Sequence, residues 1–145
     1  MLTMFKNCTA VTAFLTLSGP ALAQTPVQEL GATFKFGDLP VTVQLEPRDA
    51  DCSKKKQIQI NKMFCLAATL SSTKDLLIKD LKVKSFDATM PEHRHGMVTR
   101  AKITALNSGE YLIEGLKLHM PGDWKFTLEV LHGSQSAQVA IPVKL

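Results

Sequence analysis

The feature that most constrains this chain is the two-residue period of its apolar side chains. "ATFKF" (32–36) and "VTVQLE" (41–46) alternate apolar and polar residues, and "QIQI" (57–60) does so again. "MFCLAATL" (63–70) runs apolar, and "LLIKDLKVKSF" (76–86) alternates with Leu81, Val83 and Phe86 directed inward. "VTRAKITAL" (98–106), "YLIEGLKLHM" (111–120), "WKFTLEVL" (124–131) and "QVAIPVKL" (138–145) complete the series. Successive side chains of a strand point to opposite faces, so this period buries one face and wets the other, as half-buried antiparallel strands do. A helix needs apolar residues at i, i+3, i+4 and i+7. The window that comes closest is "STKDLLIKDLK" (72–82), which has room for one helical turn. Turn-forming residues separate the runs at Gly37-Asp38, 49–56, 71–74, Asn107-Ser108-Gly109, Pro121-Gly122 and Gly133-Ser134, at roughly the spacing of a β-sandwich. The pattern predicts an all-β fold, an immunoglobulin/fibronectin-III-like β-sandwich of seven or eight antiparallel strands. Pro142 has no N–H to give to a ladder, so the last strand is expected at a sheet edge.

The N-terminus reads differently. Lys6 is the only charge in the first 28 residues; an apolar run from Cys8 to Leu17 follows, then Ser18-Gly19-Pro20, then Ala21-Leu22-Ala23 before Gln24. A positive start, a short apolar centre and an A-x-A site are the three parts of a secretory signal peptide. The apolar run is about ten residues, half of what a bilayer-spanning helix needs, and Ser-Gly-Pro breaks it. Residues 1–23 are therefore expected to be a cleaved signal peptide, and 24–145 a single β-sandwich domain, periplasmic or secreted, with no membrane span after cleavage. No cysteine follows the Ala-Leu-Ala site, which argues against a lipid anchor.

The formal net charge is +4, including Lys6, and no Arg-rich patch accompanies it, so nucleic acid is not an expected partner. The run Lys54-Lys55-Lys56 reads as a solvated loop. Of the three cysteines, Cys8 falls in the signal peptide and leaves Cys52 and Cys65. An even count in an exported chain predicts a Cys52–Cys65 disulfide, worth roughly 2 to 3 kcal/mol through the loop it closes. The competing reading, a pair of metal thiolates, matches no zinc spacing and is disfavoured by an oxidising compartment.

Two short segments hold most of the metal-ligating side chains. "MPEHRHGM" (90–97) carries His93, His95, Met90 and Met97; "HMPGDW" (119–124) carries His119 and Met120. Together they contain three of the four histidines and three of the six methionines. In an extended backbone His93 and His95 share a face and form a two-armed claw. Pro91 and Gly96 argue for a turn, and loops at the ends of sandwiches are where binding groups gather. Imidazole with thioether is a ligand set that suits copper, the thioether favouring Cu(I), whereas calcium and magnesium want oxygen. The same residues also have a structural reading: Met fills gaps in cores, and histidines on turns satisfy carbonyls or face solvent. Whether His132, beside Gly133, takes part is left open.

Catalysis finds little support. A copper/zinc superoxide dismutase needs more histidines than this chain has, and a cupin needs a glutamate where Thr99 and Arg100 stand. No GxSxG elbow, phosphate loop or CxxC is present, so the expectation is a protein that is not an enzyme.

The ordered set Met90-Pro91, His93, His95-Gly96, Gly109, Tyr111, Met120-Pro121-Gly122 and Trp124 resembles the YtkA-like and FixH-like families of bacterial exported β-sandwich domains, over about residues 76–143. The resemblance implies a periplasmic immunoglobulin-like sandwich with links to copper handling or oxidase assembly. FixH-like proteins carry a membrane anchor, which this chain is expected to lack after cleavage of its leader. Within the family reading Trp124 plugs the core, Tyr111 hydrogen-bonds across a corner and Pro121-Gly122 forms a turn.

Two functions of different class follow. The first is a periplasmic copper-binding, metal-handling module using His93, His95 and His119 with Met90, Met97 and Met120, its cofactor or cargo copper and its partner a copper-accepting or copper-donating protein. The second is a structural or protein-interaction β-sandwich without metal, working through an edge strand or the Lys54–Lys56 loop.

Overall fold

A computed structural model describes residues 29–74 and 78–145. The expected signal peptide over 1–23 lies outside the described residues, as do Asp75, Leu76 and Leu77 in the window nearest to a helical pattern. Among the described residues there are nine strands: β1 (Leu30–Phe36), β2 (Leu39–Arg48), β3 (Met63–Ser72), β4 (Leu81–Met90), β5 (His95–Gly96), β6 (Lys102–Asn107), β7 (Glu110–Lys117), β8 (Asp123–His132) and β9 (Gln135–Lys144). No helix is long and apolar enough to cross a membrane among these residues.

The strands form two antiparallel sheets, ordered β1-β2-β3-β7-β6 and β5-β4-β8-β9. With β1 set aside as an added edge strand, β2-β3-β7-β6 and β5-β4-β8-β9 reproduce the A-B-E-D and C′-C-F-G orders of an immunoglobulin sandwich. The sandwich read from the two-residue period is thus the observed fold. Among the described residues nine strands stand where seven or eight were expected, and the one that no sequence run announced is β5, two residues long and too short for any alternation to reveal. β9, which contains Pro142, lies at a sheet edge as its missing N–H requires.

Between the sheets lies a core supplied by alternate residues, among them Val41, Val43, Leu66, Ile113, Trp124, Phe126, Leu128 and Ile141, each at most 2 % exposed. No polar or charged residue is buried among the described ones. Two irregularities re-aim side chains into this core. A register shift between Val83 and Ser85 leaves both Lys84 and Ser85 outside and turns Phe86 inward, where its ring meets Phe126 edge-on at 5.3 Å. In β7 the ladder shifts around Gly115, whose φ of 78° is left-handed, so Leu116 follows Ile113 into the core out of strict alternation.

Three segments differ from the sequence expectation. Residues 57–60 form no strand. They lie in a loop instead, with Ile58 packed against the core. Residues 98–101 precede β6 because the chain there crosses from one sheet to the other. The run that begins at 76 becomes a strand only at Leu81.

Cys52 and Cys65 form a disulfide, their Cα atoms 5.4 Å apart. It ties buried Cys65 of β3 to the loop that precedes this strand, and so closes that loop rather than joining the sheets. The sheets are stitched elsewhere. Tyr111 on β7 donates its hydroxyl hydrogen to the Leu81 carbonyl of β4 at 2.8 Å in a buried position. Removing that hydroxyl leaves a buried carbonyl unpaired, so Tyr111→Phe is expected to lower stability by about 1–2 kcal/mol. Urea unfolding checks it: the midpoint falls while the slope stays constant, and an unchanged midpoint would show that the bond adds nothing.

Candidate functional site

"MPEHRHGM" folds as a hairpin at one end of β4. Met90 is the last residue of β4, Pro91–Arg94 form the turn, and His95–Gly96 return as β5, with Met90 opposite His95 and Thr89 opposite Gly96. The His93 N–H donates to the Met90 carbonyl at 3.2 Å, and the Met97 N–H to the Ala88 carbonyl at 2.9 Å. A side chain at Gly96 would stand 3.1 Å from the Ala88 carbonyl, so glycine suits this close return. The turn that Pro91 and Gly96 predict is the observed one, so His93 and His95 do not lie along one extended strand. His93 is in the turn, and Arg94 between them has a left-handed φ of 54°. The two rings nevertheless stack, 5.7 Å apart and 27° from parallel, because the reversal at Arg94 brings them together.

"HMPGDW" carries the chain from β7 in one sheet to β8 in the other. Its backbone is fixed on three sides. The Asn61 N–H donates to the Leu118 carbonyl at 2.7 Å, Gly122 and Leu145 exchange backbone bonds at 3.0 and 3.1 Å, and Trp124 Nε1–H donates to the Met120 carbonyl at 3.0 Å. The two segments touch: the terminal methyl of Met90 lies only 2.7 Å from where a Cβ on Gly122 would stand, so a side chain there would push Met90 aside, and the φ of 133° also favours glycine.

This contact sets four rings in a row. His93 stacks on His95, the His95 ring lies 5.0 Å from His119, and His119 meets Trp124 edge-on at 5.7 Å. His93 is exposed, His95 and His119 are half-buried, and Trp124 is in the core, so the row runs from solvent inward. The structure therefore brings together all three histidines that the sequence singled out.

Among the described residues, three buried side-chain nitrogen or oxygen atoms have no hydrogen-bond partner: His95 Nδ1, Thr99 Oγ1 and His119 Nδ1. A buried polar atom without a partner costs on the order of 1–3 kcal/mol, so such atoms are scarce unless something outside the chain satisfies them. All three lie on the Met/His hairpin, the residues just after it, or the crossover. Thr99 was missed from the sequence as a member of this group; a lone threonine between Val98 and Arg100 carries no signal of burial.

The methionines are placed less alike than their spacing suggests. Met90 is 2 % exposed and belongs to the core, while Met97 and Met120 are partly buried and pack against it. His132 stands at the far end of β8 from Trp124, tilted on Phe36 at 5.7 Å, and so is remote from the row. The lysine loop is built as a turn. Asp49 accepts the N–H groups of Ser53 and Lys54 through one carboxylate oxygen, and Lys55 pairs with Glu46. Burial alone would raise the Glu46 carboxyl, but hydrogen bonding and charge from Lys55 and then Arg48 hold it below its ordinary value. The Lys54 backbone bond, with Asp51 and Ser53 adding to it, likewise lowers Asp49.

No group of three or more His, Cys, Asp or Glu side chains among the described residues surrounds one point as a metal cage does. The imidazoles form a line, within which two buried, unpartnered Nδ1 atoms belong to neighbouring rings. Ring nitrogens of this kind are not the oxygen donors that a hard cation such as calcium or magnesium wants.

The family model described as YtkA-like matches residues 42–129, more than half of the chain. The match begins well before the Met/His hairpin and ends within β8, so it is centred earlier than the 76–143 stretch on which the motifs fall. No curated protein and no solved structure matches the chain. The family and the disulfide are compatible with an exported protein.

Proposed function

This chain belongs to the YtkA-like family, and from that premise we propose that it is a periplasmic module that binds copper and passes it on. The observation that carries the proposal is the meeting of His95 and His119 from two separate connections, with Nδ1 of each buried and unpartnered. An unsatisfied buried nitrogen on each of two neighbouring rings is costly without a ligand. Copper would be held by His95 and His119, with His93 and the thioethers of Met97 and Met120 as further donors. Met90 would support the site from beneath by packing on Gly122. The loop positions favour binding and ligand exchange over catalysis, since the hairpin and the crossover can separate slightly without opening either sheet. The partner would be a copper-donating or copper-accepting protein.

Titration of the exported chain, purified after processing in an expressing bacterium, tests the proposal. With Cu(I) against a competing chelator, one ion per chain is expected. The His95→Ala/His119→Ala double variant should weaken binding by at least about a hundredfold, or roughly 2.8 kcal/mol. Binding no tighter than that of scattered surface histidines would sink the copper reading.

A second reading has its own support: the imidazoles form a row rather than a closed cage, and Met90, Tyr111 and Trp124 all have structural partners. On that reading the chain is a protein-interaction sandwich, and removing the histidines leaves partner binding intact.

A further inference from the structure

The row of rings is graded in depth, and that gradient divides the labour among the histidines. We propose that His95 and His119 form the retaining pair for the ion through their Nδ1 atoms, while His93 is the outer exchange ligand through which copper arrives and leaves. This inference rests on the copper-handling reading above and adds to it a role for each ring.

Three observations support it. First, only His95 and His119 have a buried, unpartnered ring nitrogen; His93 does not share that property. Second, the backbones differ in how they are held. His95 is paired with Met90 across the β4–β5 ladder, and His119 follows Leu118, whose carbonyl takes the Asn61 N–H. His93 sits in the exposed turn between Pro91 and Arg94, anchored by its own N–H to the Met90 carbonyl. A ligand on an exposed turn reorients more readily than one on a ladder, and low local stability is what exchange needs. Third, the inner end of the row is closed. The Trp124 ring stands edge-on to His119, and its N–H is already engaged by the Met120 carbonyl. The outer end of the row, where the exposed His93 ring stacks on His95, is its solvent side.

The chemistry favours such an order. Neutral imidazole offers one lone pair to a metal ion. Two shielded nitrogens suffice for the low coordination that Cu(I) accepts. A third, exposed imidazole next to them lets an incoming donor replace one ligand at a time, so the ion need never be fully released.

The test separates equilibrium from rate. Cu(I) affinity is measured by competition, and the rate of Cu(I) transfer to a chelator by stopped flow, for the exported wild-type chain and for His93→Ala, His95→Ala and His119→Ala. His93→Ala is expected to leave the affinity within about threefold and to slow transfer about tenfold, whereas His95→Ala and His119→Ala each weaken affinity by more than about tenfold. Thermal melts of the copper-free variants check that each is folded; His95→Gln and His119→Gln replace any that is not. Nitrogen-15 spectra of the imidazoles in the copper-free chain give a readout independent of the ion: Nδ1 of His95 and His119 should carry a lone pair at neutral pH. Equal losses of affinity at all three positions would overturn the division and make the site a single three-histidine centre. Protonated Nδ1 atoms bonded to a buried water would overturn it as well. If the wild-type chain binds no Cu(I), the copper-handling reading fails, and this inference fails with it; a wild type that binds with equal losses defeats the division alone.

Discussion

Trp124→Ala is expected to lower the stability of the sandwich by about 3–5 kcal/mol, the range for emptying the site of a large buried aromatic side chain. Trp124 is 2 % exposed and opens β8, where it is paired with Val143 of edge strand β9. Its loss opens a cavity at the end of the core beneath the Met/His crossover. It also frees the Met120 carbonyl, which now accepts from Nε1 at 3.0 Å, and removes the ring that stands edge-on to His119. Two effects should therefore appear together: a midpoint of thermal unfolding lower by roughly 10 °C or more, and, on the copper-handling proposal, weaker Cu(I) binding. Trp124→Phe separates them, because it keeps most of the apolar volume and loses the hydrogen bond; it should cost about 1–2 kcal/mol. A loss below about 1 kcal/mol for the alanine variant would contradict the placement of this ring in the core.

Removing the disulfide is the second large perturbation. Replacing Cys52 and Cys65 together by alanine, or reducing the bond with an excess of a dithiol, is expected to cost about 2 to 3 kcal/mol, chiefly by restoring freedom to the unfolded chain. The closed segment has little regular structure of its own, and its residues 57–60 form no strand. What holds it, besides the disulfide, is a set of turn bonds around Asp49, the Lys56 N–H to the Pro47 carbonyl at 3.0 Å, and Ile58 against the core. At its far end the Asn61 N–H reaches the Leu118 carbonyl, one residue before His119. Hydrogen exchange should therefore show faster exchange at Asn61 in the variant, whereas the amides of β8 change only as far as global stability falls. Unchanged exchange at Asn61 would mean that the loop is held without the disulfide.

The legible part of this protein was the part set by local chemistry. The two-residue period named the strands and the sandwich, since side chains of a strand must alternate whatever its neighbours are. Pro142 named an edge because it lacks a hydrogen to donate. Cys52 and Cys65 were the sole candidates for a pair once Cys8 was assigned to a leader. Where the period failed, a tertiary cause can be named. Phe86 and Leu116 enter the core only because bulges at Lys84-Ser85 and Gly115 reset the alternation. "QIQI" alternates well enough for a strand and forms none, lying instead in a loop with Ile58 against the core.

The candidate site shows the same division more sharply. The sequence by itself determined which residues were available: two histidine-bearing segments, their methionines, and prolines and glycines that force turns. It did so because donor chemistry and turn propensity belong to single residues and short stretches. Only the tertiary structure decided that the hairpin after β4 and the crossover before β8 occupy the same end of the sandwich, so that His95 and His119 become neighbours at 5.0 Å while His132 is carried to the far end of β8. It also separated Met90, a core side chain, from Met97 and Met120, which pack at its margin, and it shut water away from two imidazole nitrogens and the Thr99 hydroxyl. Burial is a property of neighbours brought together from distant parts of the chain, and the pairing of β4 with β8 across the Met/His connections is what supplies those neighbours.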